Sequence, residues 1–306
     1  MMISPHFWTR VLSAGLLLCS IAYSDDDVIS GLEKAKSDLT KTKYQLTYKY
    51  QPGETLRYHL EHDVSVNTTI SGNNQRTQAH TESDRSLRVD RVEEDGNIVF
   101  AHTIERIKMR RDAQGRAVVT YDSQTDDAPP PEFEPVAEKI GKPISTITMS
   151  PSGVIVDRED KFQHVDIGLG GLSIPFPNKE IDIGHQWSRP AELKVHAKDQ
   201  RIKLIKIREL FTLEKVETGV ATIAIKTQIL TPVEDARVKA QLIQRISQGK
   251  IRFDIDAGRL LGKEMEWNER VLGFNGAESK MTYMAQFTER LAETEKVAQK
   301  SAAAAQ

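Results

Sequence analysis

Between Thr55 and Ile70 the chain alternates residue by residue. Even positions read Leu56, Tyr58, Leu60, His62, Val64, Val66, Thr68 and Ile70, and odd positions read Thr55, Arg57, His59, Glu61, Asp63, Ser65, Asn67 and Thr69. Successive side chains of a strand point to opposite faces, so this pattern predicts a long antiparallel strand with one buried and one solvated face. Gly72-Asn73-Asn74 signals a turn, Leu87 and Val89 start another strand, and Asp95-Gly96 turns the chain into a strand over 97–109. A short strand follows over 117–121. Pro129, Pro130 and Pro131 then stop any regular element. Phe133, Val136, Ala137 and Ile140 recur at helical spacing. A strand over 144–149, the turn Ser150-Pro151-Ser152-Gly153 and a strand from Val154 complete this segment.

The second half repeats the order. Gly184-His185-Gln186-Trp187 stands where Gly53-Glu54-Thr55-Leu56 did, and Val216-Glu217-Thr218-Gly219 matches Val92 to Gly96. Val238, Leu242 and Ile246 form a second helical stripe, and Asp256-Ala257-Gly258 is a second turn between strands. Two closing strands cover 260–269 and 280–289, with Met265 and Trp267 expected to face Met281, Tyr283 and Phe287. The expected fold is mainly β (α+β): antiparallel curved sheets or half-barrels in two related units, each with one short helix. The units span 44–166 and 184–291, joined by a Gly- and Pro-punctuated connector over 167–183. Different strand orders in the two halves would refute a duplication.

The ends read differently. Arg10 precedes an apolar stretch of eleven residues, 11–21, then Ala22-Tyr23-Ser24 and three aspartates. This is the layout of a secretory signal over 1–24, too short to span a bilayer, which takes about 20 residues. Acylation at Cys19 would make a lipoprotein, but Leu18 is larger than the small residue such a site wants. A short N-terminal helix is expected within 25–43 and a flexible tail over 292–306. The expected location is the periplasm or the exterior.

Composition narrows the function classes. The 306 residues carry 42 Lys and Arg against 44 Asp and Glu, a net charge of -2, which lacks the basic excess of a general nucleic-acid binder. Cys19 is the one cysteine, so a mature chain would contain no disulfide, cysteine nucleophile or cysteine-ligated metal. In an oxidising compartment, core burial alone must then hold the fold. No later segment is long and apolar enough to be a membrane helix.

Motifs for chemistry are sparse. His59, Glu61 and Asp63 share one strand face and read as a solvated stripe, while His62 points to the apolar face. The remaining histidines lack paired-ligand spacing, and no GxSxG, SxxK or P-loop occurs, so no catalytic residue, metal site or cofactor is assigned. Gly168-Leu169-Gly170-Gly171 lacks the third spaced glycine of a dinucleotide site and reads as part of the connector, a linker packed on the sheet or a flap over it. Asn67-Thr68-Thr69 fits a glycosylation pattern but also an ordinary strand end. Trp187, Trp267, Tyr283 and Phe287 alternate on strands and, with His62, are the candidates for lining an apolar ligand site.

The segments Tyr50-Gln51-Pro52-Gly53-Glu54-Thr55-Leu56-Arg57-Tyr58, Pro129-Pro130-Pro131 with Phe133, Ile147-Thr148-Met149-Ser150-Pro151-Ser152-Gly153 and Phe253-Asp254-Ile255-Asp256-Ala257-Gly258-Arg259-Leu260 carry a resemblance. Over most of 44–291 the chain resembles exported proteins of unknown function typical of planctomycete-type bacteria. The resemblance implies a β-rich exported protein and supplies no catalytic residues. From the long half-buried strands, the aromatic alternation and the lack of a catalytic constellation, the expectation is a non-enzymatic exported protein holding an apolar ligand or partner segment on a curved sheet. The alternative is a structural or protein-interaction module of the cell envelope, and a hydrolase stands third.

Overall fold

The computed structural model describes residues 42–162, 171–196 and 201–295. The expected signal sequence over 1–24, the expected N-terminal helix up to residue 41 and the expected tail beyond residue 295 lie outside the described residues. Among the described residues twelve strands form one antiparallel sheet: β1 Thr55–Ile70, β2 Asn73–Val92, β3 Ile98–Ala113, β4 Val119–Asp122, β5 Pro143–Met149, β6 Ile155–Asp160, β7 Gln186–His196, β8 Ile202–Glu217, β9 Val220–Ile229, β10 Gln248–Asp254, β11 Arg259–Leu272 and β12 Lys280–Glu295. The order is β6-β5-β3-β2-β1-β12-β11-β10-β9-β8-β7, with β4 beside β3, and the end strands do not pair with each other. The sheet is curved and open. Helix α1 is Glu134–Ala137, and α2 is Ala236–Leu242, capped by the Asp235 carboxylate accepting from Arg237 N–H.

The alternating strand stands where the pattern put it. Leu56, Tyr58 and Leu60 are buried, and β1 pairs with β2 and β12 along its length. The strand after it is far longer than its apolar residues indicate. Asn73 to Ser86, polar and ahead of the strand start expected at Leu87, form the first part of β2. Their far end lies beyond the core, so both faces meet water there, and the backbone ladder to β1 and β3 holds the strand instead of side-chain burial. A two-residue turn at Ser71 and Gly72, both with positive φ, matches the twist of the flanking strands. β12 runs on to Glu295, opposite Thr55, so pairing outlasts the apolar pattern at that end too.

The two segments keep the same internal strand order, β1-β2-β3-β5-β6 and β7-β8-β9-β10-β11, each with its helix before the fourth of these strands. β12 joins them by pairing with both β1 and β11. Register shifts near Tyr58, Arg85, His102 and Phe253 place bulges in several ladders, and bulges bend a sheet locally.

The main core lies on one face and takes residues from both segments, including Tyr58, Phe100, Phe211 and Phe253. The stretch 44–50 helps to fill it, with Leu46, Tyr48 and Tyr50 buried. It is tied at both sides: Tyr48 N–H donates to Pro151 O at 2.8 Å, and Lys49 N–H donates to Gly258 O at 3.0 Å. The turns it touches need glycine. Gly153 and Gly258 have φ of +82° and +63°, and a Cβ would come within 2.1 Å of Ile174 O and 2.6 Å of Lys49 N, respectively.

The described part of the connector is no flap. Ile174 and Phe176 are buried; Ile174 N–H donates to Tyr48 Oη at 3.0 Å and Phe176 N–H to Ser152 O at 2.7 Å. Burying two large apolar side chains and binding the backbone between them fixes the segment against the sheet. Residues 167–170 of that stretch lie outside the described residues.

Candidate functional site

The cross-strand register explains how residues distant in sequence meet. One row across the sheet runs Trp187, Phe211, Ile225, Gly249, Met265, Phe287 and His62. Trp267, opposite Ala285, lies in the next row, and Tyr283 one row further. Beneath the middle of these rows is a cavity of about 590 Å³, within the range of roughly 300–1,000 Å³ usual for small-molecule sites.

Four of the five residues singled out by alternation line this cavity: His62, Trp267, Tyr283 and Phe287. His62 stands with its ring centroid 6.0 Å from Trp267 and 6.0 Å from Phe287. Burial lowers the pKa of His62, against an opposing pull from Asp63. Trp267 donates its indole N–H to Gln244 O at 3.0 Å. Burial raises the pKa of Tyr283. Trp187 does not line the cavity. Its ring stacks on Phe211 at 5.6 Å, and its N–H donates to Pro175 O at 2.6 Å, which makes it an anchor for the connector. Met265 faces Phe287 as a direct partner, whereas Trp267 is opposite Ala285 and Tyr283 is opposite Glu269.

Sequence reasoning missed the charged residues of this face. Lys263 lines the cavity and is buried, and its Nζ lies 3.0 Å from Gly171 O and 3.3 Å from Glu289 Oε2. Glu289 also binds Arg85, likewise fully buried. The Lys263 ammonium sits 5.1 Å from the centroid of Phe287, and the Arg85 guanidinium 5.6 Å from that of Tyr58. Desolvation lowers the pKa of Lys263, with Glu289 opposing it. Arg189 and Glu209 form a second pair on the wall, with Nε and Oε2 2.7 Å apart. A signal for three of these residues existed. Lys263 shares its strand face with Met265 and Trp267, Glu289 with Phe287 and Leu291, and Arg85 with Leu87 and Val89. A charge at the parity of the apolar positions marks a buried polar group.

The opposite face carries the stripe read as solvated. His59 Nδ1 is 2.7 Å from Asp84 Oδ1, and His80 bridges Asp63 at 2.8 Å and Glu82 at 3.1 Å. The hydrogen bond with Glu82 raises the pKa of His80; burial opposes it, and the hydrogen bond with Asp63 adds to the rise. Among the described residues no three His, Asp or Glu side chains are grouped to hold a metal ion. No helix of the described residues is long and apolar enough to cross a membrane.

No protein-family model matches the chain, and no curated protein matches it by sequence. Solved structures similar to it include lipovitellin, from a study of its lipid–protein interactions, at 13% identity and a TM-score of 0.47 over 84% of this chain and 27% of that one. The chain therefore spans about a quarter of the lipovitellin chain. It is also similar to the translocator domain of the autotransporter NalP from Neisseria meningitidis, at 7% identity and a TM-score of 0.28, over 87% of this chain and 96% of that one. A DUF1329 family protein from Desulfovibrio piger aligns at 12% identity and a TM-score of 0.14 over 90% and 95% of the two chains. At these scores the likenesses assign neither family nor function.

Proposed function

We propose that the protein is a non-enzymatic, exported binding protein that holds an apolar ligand in the cavity of its curved sheet. The observation that carries this reading is the cavity wall itself. His62, Met265, Trp267, Tyr283 and Phe287 give it a largely apolar and aromatic surface, of the kind that takes up an apolar guest. Its carboxylates are held in ion pairs, Glu209 by Arg189 and nearby Glu289 by Arg85 and Lys263, which supports binding over acid–base chemistry. Export rests on the leader pattern of residues 1–24. The shared strand order of the two segments supports descent by duplication, with β12 added as the joining strand.

The test is to purify the full chain from its native cells and analyse solvent extracts by mass spectrometry. An apolar small molecule enriched over a control protein is the expected result. No enriched molecule, together with no binding of added apolar probes, would refute the reading. An envelope-interaction role draws support from exposed Ile155 and Val156 on the edge strand β6. In-cell cross-linking to one discrete protein would favour that role. The charged run Asp157 to Asp160 on the same strand works against open edge pairing.

A further inference from the structure

We infer that the ligand is an amphipathic acid, with an anionic end group held at Lys263 and Arg189 and an apolar chain lying along the aromatic wall. This rests on the binding role proposed above and adds the chemical class and orientation of the guest.

The polarity of the cavity is the argument. Both cations converge on Gly171. Lys263 Nζ donates to Gly171 O at 3.0 Å, and Arg189 Nη2 would lie 3.8 Å from a Cβ on that glycine. From Lys263 the inward-facing residues of β11 run Met265 then Trp267, a distance of about 13 Å along a strand. Lys263 and Arg189, the latter paired with Glu209, thus stand at one end of this run and Trp267 at the other, with Arg245 also on the cavity wall.

Lys263 is also incompletely satisfied among the described residues. An ammonium has three donors. Its hydrogen bond goes to Gly171 O, while Glu289 Oε2, at 3.3 Å, is placed for attraction and accepts no hydrogen bond. Glu289 is itself divided between Lys263 and Arg85. Burying a cation whose counter-charge is shared is costly, and a second anion entering the cavity relieves that cost. A carboxylate or phosphate monoester supplies such an anion with acceptors for the remaining donors. A neutral alcohol of equal chain length supplies the apolar contacts alone.

Matched probes test this on the full chain: hexadecanoate, hexadecyl phosphate and hexadecanol, with affinities measured by displacement of a fluorescent apolar dye. The acid or the phosphate is expected to bind at least tenfold tighter than the alcohol, and whichever binds tighter identifies the head group. Lys263→Met should abolish that preference while alcohol binding persists, and Lys263→Arg should keep it. Arg189, half-exposed and paired with Glu209, offers a variant that leaves the buried triad intact, and Arg189→Met should weaken the preference with at most a small drop in melting temperature. Equal affinity for acid, phosphate and alcohol would overturn the inference but leave the binding role standing. Binding of none would overturn both. A preference unchanged in both Lys263→Met and Arg189→Met would also overturn it.

Discussion

Lys263 and Glu289 face each other across β11 and β12, 3.3 Å apart and almost wholly out of water. The carboxylate lies between two cations, because Arg85 reaches it from β2. Neutralising Glu289 leaves both cations buried beside one another. Glu289→Gln is therefore expected to destabilise the fold by about 3–5 kcal/mol, measured by urea unfolding. Replacing Arg85, Lys263 and Glu289 together by methionine should recover most of that loss. A single variant as stable as the wild type would show that the three charges are not coupled.

The turns at Gly153 and Gly258 clamp the stretch 44–50. Gly153→Ala and Gly258→Ala each combine a left-handed backbone with a clash against neighbouring backbone atoms. Each should cost more than the roughly 1–3 kcal/mol of backbone strain alone. Gly72→Ala is the control, since its φ is +78° and a Cβ there meets nothing within 4 Å. Thermal melts of the three variants should rank Gly72→Ala as clearly the mildest.

His102 gives the protein an acid sensitivity. It sits on the core side of β3, buried, and its ring nitrogens have no hydrogen-bond partner among the described residues. Desolvation first, then Arg85 and Arg158, push its pKa down to about 3. The unfolded chain takes up a proton near pH 6.5 and the folded one only near 3. Stability from this residue is thus complete above pH 6.5 and is lost as pH falls toward 3. Between pH 7 and 4 the wild type should lose about 3 kcal/mol more than His102→Leu, followed by denaturant unfolding at each pH. Parallel pH profiles would refute the assignment.

Trp267 reports on the cavity and Trp187 does not. Adding hexadecanoate should shift the emission of the wild-type protein. Trp267→Phe should remove the shift, and Trp187→Phe should retain it, because Trp187 does not itself line the cavity but stacks on Phe211, which does. A shift lost only in Trp187→Phe would place the guest elsewhere.

Much of the fold was legible because burial imposes a period. β1 has the bounds that alternation predicts, and both helices appear where their apolar stripes lie, though α1 is only four residues long. The first part of β2 was not legible, since a strand solvated on both faces has no period to read. Within the site, His62, Trp267, Tyr283 and Phe287 stood out by parity, as did the exposure of the stripe at His59, Glu61 and Asp63. Trp187 shared their parity and even the row of His62, Met265 and Phe287, yet the connector covers its end of that row.

The sequence by itself determined the strand-rich class, the opposite faces of His59 and His62, and the dependence of the fold on core burial without disulfides. These follow from local alternation and composition. Tertiary structure alone decided that the two segments share one sheet through β12, that the described connector is packed down, and that Arg85, Lys263 and Glu289 meet in the interior. Those outcomes depend on which strands become neighbours and in what register. Pairing partners are chosen by the summed burial and backbone bonding of the whole sheet, which no single stretch of sequence contains.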